Sequence, residues 1–107
     1  MQRMGMVIGI RPEKIAEYKA LHAAAWPAVL ARMSQANIRN YTIFRHGTDL
    51  FAYVEYVGDD FAADMAAMAA DETTQRWWAL TDAMQEPLPD RAPGAWWTTI
   101  EEVFHTD

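Results

Sequence analysis

The sequence predicts an α+β domain whose elements run strand, helix, strand, strand, helix, strand. Apolar residues alternate with period two over residues 3–11, 38–57 and 95–105, the spacing of half-buried strands. The intervening stretches, 12–35 and 59–84, are rich in Ala and other good helix formers. A tight turn at Gly47-Thr48-Asp49 joins two of the strands as an antiparallel pair. That order is the ferredoxin-like β-α-β-β-α-β arrangement, one antiparallel sheet with helices on one face. The other face of so apolar a sheet needs a cover. Two copies packed sheet to sheet, a dimeric α+β barrel, would provide one.

Each element has its own signal. In the first strand Met4, Met6, Ile8 and Ile10 share one face, and Gly5 and Gly9 on the other invite close packing by a neighbour. Pro12, with Glu13 in the first turn, opens a helix running to about Ala25. Pro27 opens a second stretch from Ala28 to about Gln35, with Asn37 as the stop. Ile38 to His46 and Leu50 to Val57 form the hairpin. On its second strand Phe51, Tyr53 and Glu55 face one way, Ala52, Val54 and Tyr56 the other. Asp59 caps an Ala/Met-rich helix ending near Ala70. Asp71 and Thr73 compete as caps of the next helix, which carries Gln75-Arg76-Trp77-Trp78 and ends near Met84. Pro87 to Gly94 is dense in Pro and Gly and must be a loop. Ala95 to His105 reads as the last strand.

Composition narrows the function classes. A chain of 107 residues suits a single domain spanning 1–107, and 51% of it is hydrophobic, with five Trp and seven Met. That excess is what a second copy would cover. A net charge of −6 leaves no basic stripe for nucleic acid and disfavours an anionic membrane surface. There is no Cys, so disulfides, a thiolate nucleophile and Cys-ligated zinc are out. No long apolar segment marks a leader or a membrane span. The expectation is a soluble cytoplasmic protein.

The chemistry centres on Tyr18, His22 and Trp26, successive turns of one helical face. An imidazole titrates near neutral pH and can both take and give a proton. With a phenol and an indole beside it, the stripe suits a small polyhydroxylated ligand. The commoner reading of such a stripe is a buried aromatic face with a satisfied core histidine. Trp77 and Trp78 lie about 100° apart on their helix, so one can line a pocket while the other fills core or interface. Tyr41 and Tyr53 can offer phenols to a pocket or to the core. Glu55 and Glu101 are either pocket carboxylates or solvated strand residues. His46 and His105 sit where surface histidines are ordinary, and no metal-ligand spacing is present. Neither a phosphate loop, a dinucleotide fingerprint nor a Ser-His-Asp order occurs.

Several stretches together resemble one family. Glu17-Tyr18-Lys19, His22, Trp26-Pro27, Asn40-Tyr41, Leu50-Phe51-Ala52, Val54-Glu55, Gln75-Arg76-Trp77-Trp78 and Glu101-Glu102-Val103-Phe104 are similar to the L-rhamnose mutarotase family, in order and at near-family spacing across almost the whole chain. The resemblance implies a dimeric α+β barrel enzyme that interconverts the α and β anomers of a free 6-deoxy-aldose without cofactor or metal. It implies that His22 carries the proton and that Tyr18, Tyr41, Trp77 and Trp78 bind the sugar. One stretch departs. Family members usually carry an Asn-Pro-Asp-Asn-Ser-Pro-like loop where this chain has Pro87-Leu88-Pro89-Asp90-Arg91-Ala92-Pro93, followed by Trp96 and Trp97. Asp90 stands for the loop's Asp, but both Asn are gone, so hydroxyl stereochemistry is open to a different reading and L-fucose becomes the rival substrate. Two other functions fit the same fold. A small monooxygenase or haem-degrading protein would place a quinol or haem near His22, and a non-catalytic sugar-binding module would bind without accelerating exchange.

Overall fold

The computed structural model describes all residues, Met1 to Asp107. Strand β1 (Gln2–Ile10) leads through a 3-10 turn at Pro12–Lys14 into α1 (Ile15–Ala23) and α2 (Pro27–Gln35). The hairpin β2 (Ile38–His46) and β3 (Asp49–Tyr56) follows, then α3 (Phe61–Ala69), α4 (Glu72–Met84), a two-residue β4 (Gln85–Glu86) and β5 (Thr98–Ile100). The sheet order is β2-β3-β1-β4, with β5 also on β1, and all pairings are antiparallel. The ferredoxin-like order holds, with its fourth strand position shared between β4 and β5.

The boundaries differ from expectation for local reasons. The helix expected from Pro12 begins as a 3-10 turn, because Lys14 sits at φ −107° and ψ 0°, outside α-helical geometry. Asp60, not Asp59, caps α3 by accepting a hydrogen bond from the Ala63 amide at 3.1 Å. Asp71 rather than Thr73 caps α4, taking both the Thr74 amide (2.9 Å) and its hydroxyl (2.8 Å). Asn37 stops the second helix in the left-handed region, at φ +64°. The long last strand expected over 95–105 shrinks to three residues, since β4 already occupies part of the β1 edge, opposite Gly9 and Ile10. A Cβ on Gly9 would lie 2.6 Å from the Glu86 carbonyl oxygen. Only a glycine lets β4 approach this closely.

One irregularity in β2 decides which side chains face the helices. Arg39 pairs with Glu55 and Thr42 with Tyr53, so Asn40 and Tyr41 together oppose Val54. Asn40 takes up the extra residue at φ +52°. This β-bulge breaks strict alternation. It turns Tyr41 and Ile43 toward the helical layer, the face already holding Ile38, instead of Asn40 and Thr42.

The helix-covered face holds the core in two clusters. Ile8, Ile10, Tyr18, Leu50 and Met84 form one; Ala36, Ile38, Val54 and Tyr56 form the other, with Met4, Met6, Met33, Met65 and Met68 packed against it. The opposite face carries the cross-strand row Phe44, Phe51, Val7 and Thr98, and the next row brings Tyr53, Gly5 and Ile100 together. No helix covers it: Phe44 is 64% exposed.

Candidate active site

Between the two core clusters lies a cavity of about 920 Å³, lined mainly by apolar side chains from both. Its polar groups come from four places. Helix α1 contributes Tyr18, Lys19 and His22, α4 contributes Thr81 and Asp82 with Gln85 just beyond its end, β2 contributes Tyr41 and Arg45, and β5 contributes Thr99. Trp77, Trp78, Trp96 and Trp97 supply the aromatic walls. A large apolar pocket with a few convergent polar groups is the usual form of a small-molecule site.

His22 is held in one tautomer. Its Nδ1 lies 2.8 Å from the Tyr18 carbonyl oxygen. A carbonyl only accepts, so Nδ1 carries the proton of the neutral ring and Nε2 keeps the lone pair. The ring stacks on Tyr18 with centroids 4.1 Å apart and meets the edge of Trp77 at 5.2 Å. Trp77 is itself fixed edge-on by Trp26, also at 5.2 Å, and is 5% exposed. The imidazole is thus clamped on two sides while remaining on the cavity wall.

The two phenols have different surroundings. The Tyr18 hydroxyl accepts a hydrogen bond from Gln85 Nε2 at 3.1 Å, and Gln85 Oε1 accepts one from Trp96 Nε1 at 2.8 Å. Burial raises the Tyr18 pKa and the Gln85 contact partly offsets this. Tyr41 as a residue keeps 38% of its surface accessible, yet its hydroxyl is desolvated among protein atoms, and its pKa lies well above the ordinary value, with Tyr18 adding to the effect. Both phenols therefore stay protonated at neutral pH and are donors. Desolvation also pushes the Asp82 carboxyl up.

Of the residues singled out from the sequence, His22, Tyr18, Tyr41, Trp77 and Trp78 meet at this cavity. The two tryptophans both line it despite their angular separation, Trp77 buried and Trp78 half-buried. Trp26 stands behind Trp77 as a buttress. Glu55 lies on the opposite face of the sheet, where the Tyr53 hydroxyl and Asn40 amide donate to it at 2.7 Å each and lower its pKa. Tyr53 is thereby on that face too. Asp90 is exposed in the 87–97 loop and does not reach the cavity wall. Sequence reading overlooked Asp82 and Gln85. Helical spacing could have found them, since Trp77, Thr81 and Gln85 are four apart, as are Trp78 and Asp82.

No three His, Asp or Glu side chains cluster as metal ligands, and no helix is long and apolar enough to cross a membrane. The cavity brings one imidazole, two phenols and aromatic walls together, a set of groups able to do acid–base chemistry on a small molecule. Residues 3–106 match the family model of L-rhamnose mutarotase, and the chain belongs to that family. It is 29% identical, over the full length of both chains, to the L-rhamnose mutarotase of Oceanobacillus iheyensis. It is 36% identical to the L-fucose mutarotase of Xanthomonas campestris pv. campestris, covering 97% of this chain and 87% of the relative. The crystal structure of an L-rhamnose mutarotase from Formosa agariphila superposes over all of both chains with a TM-score of 0.78 at 23% identity. That likeness supports the α+β barrel fold.

Proposed function

We propose that the protein is an isomerase that interconverts the α and β anomers of free L-rhamnose, with His22 as the proton carrier. The supporting observation is the tautomer lock: an imidazole on the cavity wall whose Nδ1 is engaged by its own helix, leaving Nε2 for a ligand. In the ring-opening direction Nε2 takes the proton of the anomeric hydroxyl. The C1–O5 bond breaks as C1=O forms, and the ring oxygen, left as an alkoxide, takes that proton from Nε2–H of the imidazolium, which returns His22 to its neutral form. Rotation about C1–C2 presents the other aldehyde face, and the same steps in reverse close the opposite anomer. Only protons move and no electrons are gained or lost, so the chemistry needs no redox group. Tyr18 and Tyr41 hold sugar oxygens as donors, and Trp77 and Trp78 confine the open form while it rotates.

A second reading is L-fucose as substrate. The 36% identity to the L-fucose mutarotase favours it. NMR saturation transfer on each sugar separates the two. We expect His22→Ala to slow exchange by a factor of roughly 10² to 10⁴, the usual contribution of a positioned acid–base group. Exchange undiminished in that variant would remove His22 from the mechanism. No acceleration of either sugar by the wild type would refute the activity.

The proposal includes a cytoplasmic homodimer; the cytoplasmic setting rests on the family reading. Support for the second copy lies on the uncovered sheet face, where Phe44, Phe51 and Ile100 are 64%, 41% and 44% exposed.

A further inference from the structure

The hydrogen bonds around Tyr18 have only one consistent polarity. An indole N–H can donate and cannot accept. The atom of Gln85 facing Trp96 Nε1 at 2.8 Å must therefore be the amide oxygen. That leaves the amide nitrogen toward the Tyr18 hydroxyl at 3.1 Å. An amide nitrogen offers no lone pair, so the Tyr18 oxygen accepts and its own proton points away from Gln85. Tyr18 lines the cavity and stacks on His22. Gln85 itself is 3% exposed, so water does not compete for either end of its amide.

We propose that Gln85, oriented by Trp96, is a positioning residue that makes Tyr18 an obligate hydrogen-bond donor to a sugar oxygen beside His22. The inference rests on the mutarotase reading and adds a division of labour to it. His22 Nε2 removes the anomeric proton while the Tyr18 O–H meets the ring oxygen as negative charge develops there. The relay also bridges the unusual loop: Gln85 and Trp96 flank residues 87–93, where this chain departs from the family's pattern. An amide buried between two partners can have a purely architectural role, and that role makes a different prediction.

A double-mutant cycle tells them apart. The variants are Gln85→Leu, Tyr18→Phe and both together, with exchange of L-rhamnose and L-fucose measured at several sugar concentrations. If Gln85 acts through Tyr18, Gln85→Leu lowers kcat about tenfold, the scale of one hydrogen bond strengthened in the transition state, with KM little changed. In the Tyr18→Phe background the same change costs less than about twofold, because the proton it orients is gone. Equal losses in both backgrounds, or a loss confined to KM, would overturn the relay. Trp96→Phe provides the same test without altering the buried amide, should Gln85→Leu not fold. It frees the amide to flip and is expected to lower kcat by about threefold, again only where Tyr18 is present. No effect of Trp96→Phe in the wild-type background counts against the relay as well. A wild type inactive on both sugars would instead sink the mutarotase reading, a result distinct from an active wild type with an additive cycle.

Discussion

At the residue scale, several side chains matter through what they accept rather than through bulk. Asp64 receives hydrogen bonds from the Tyr56 hydroxyl and, at 3.0 Å, from the Asn37 side chain. The Tyr56 bond, and then the Asn37 one, hold its carboxyl below the ordinary value of 3.8. The charged form is thus favoured by folding. Its contribution is complete above the ordinary carboxylate range and is lost as pH falls through the lowered folded value. Asp71 and Glu55 are shifted the same way and for the same kind of reason. Thermal melts between pH 7 and 2.5 should therefore show Tm falling below about pH 4. Asp64→Ala should melt lower than wild type at pH 7 and lose less on acidification. A variant with the wild type's full acid sensitivity would show that Asp64 contributes nothing to it.

At the scale of an element, the bulge in β2 has the largest consequence for the site. Without it, Ile38 would share its face with Asn40 and Thr42, and Tyr41 would point away from the helices. Asn40 makes the bulge feasible because a short polar side chain tolerates the left-handed region better than most, and its amide also reaches Glu55 at 2.7 Å. A β-branched residue there is expected to cost about 1–3 kcal/mol. Asn40→Val should thus lower urea stability by that amount and weaken sugar binding through Tyr41, which NMR titration would register. Asn40→Gly should keep the backbone and lose only the Glu55 contact. Equal stability of Asn40→Val and wild type would mean the bulge is not under strain. The sequence shows the strand plainly through its period. It shows the bulge poorly, since one extra residue alters periodicity less than a change of element does, and the only local hint is an Asn.

At the scale of the whole molecule, one sheet face is packed and the other is not. The helices cover the rows headed by Ile8 and Val54, while the row of Phe44, Phe51, Val7 and Thr98 remains open. The end of the chain continues this surface, with Val103 85% and Phe104 78% exposed. A second copy would remove such area from water, at about 25 cal/mol per Å² before association costs. Sedimentation at micromolar concentration should find twice the chain mass. Phe51→Glu should shift it to the single chain, because a charge would then face the interface centre. A wild type sedimenting as a single chain would rule the pairing out.

The order of elements and the helix stop at Asn37 were legible in the sequence, and the cap of α4 was narrowed to Asp71 or Thr73, because periodicity and capping act over a few residues and need no partner. Tyr18 and His22, one turn apart on α1, were equally legible, as were the tryptophans of α4, but Trp26 does not continue their stripe: α1 ends at Ala23, and Trp26 sits in extended backbone (φ −67°, ψ 127°) ahead of α2. Their chemistry could be inferred through the family resemblance, which rests on residue identity at fixed spacing. Tertiary structure alone decided which groups meet. The bulge brought Tyr41 to the cavity, sheet pairing sent Glu55 to the far face, and the loop fold brought Trp96 back against Gln85 eleven residues earlier. These outcomes depend on contacts between residues distant in the chain, to which local pattern is blind. The direction in which Tyr18 points its proton is the last of them, fixed by an amide that no motif marks.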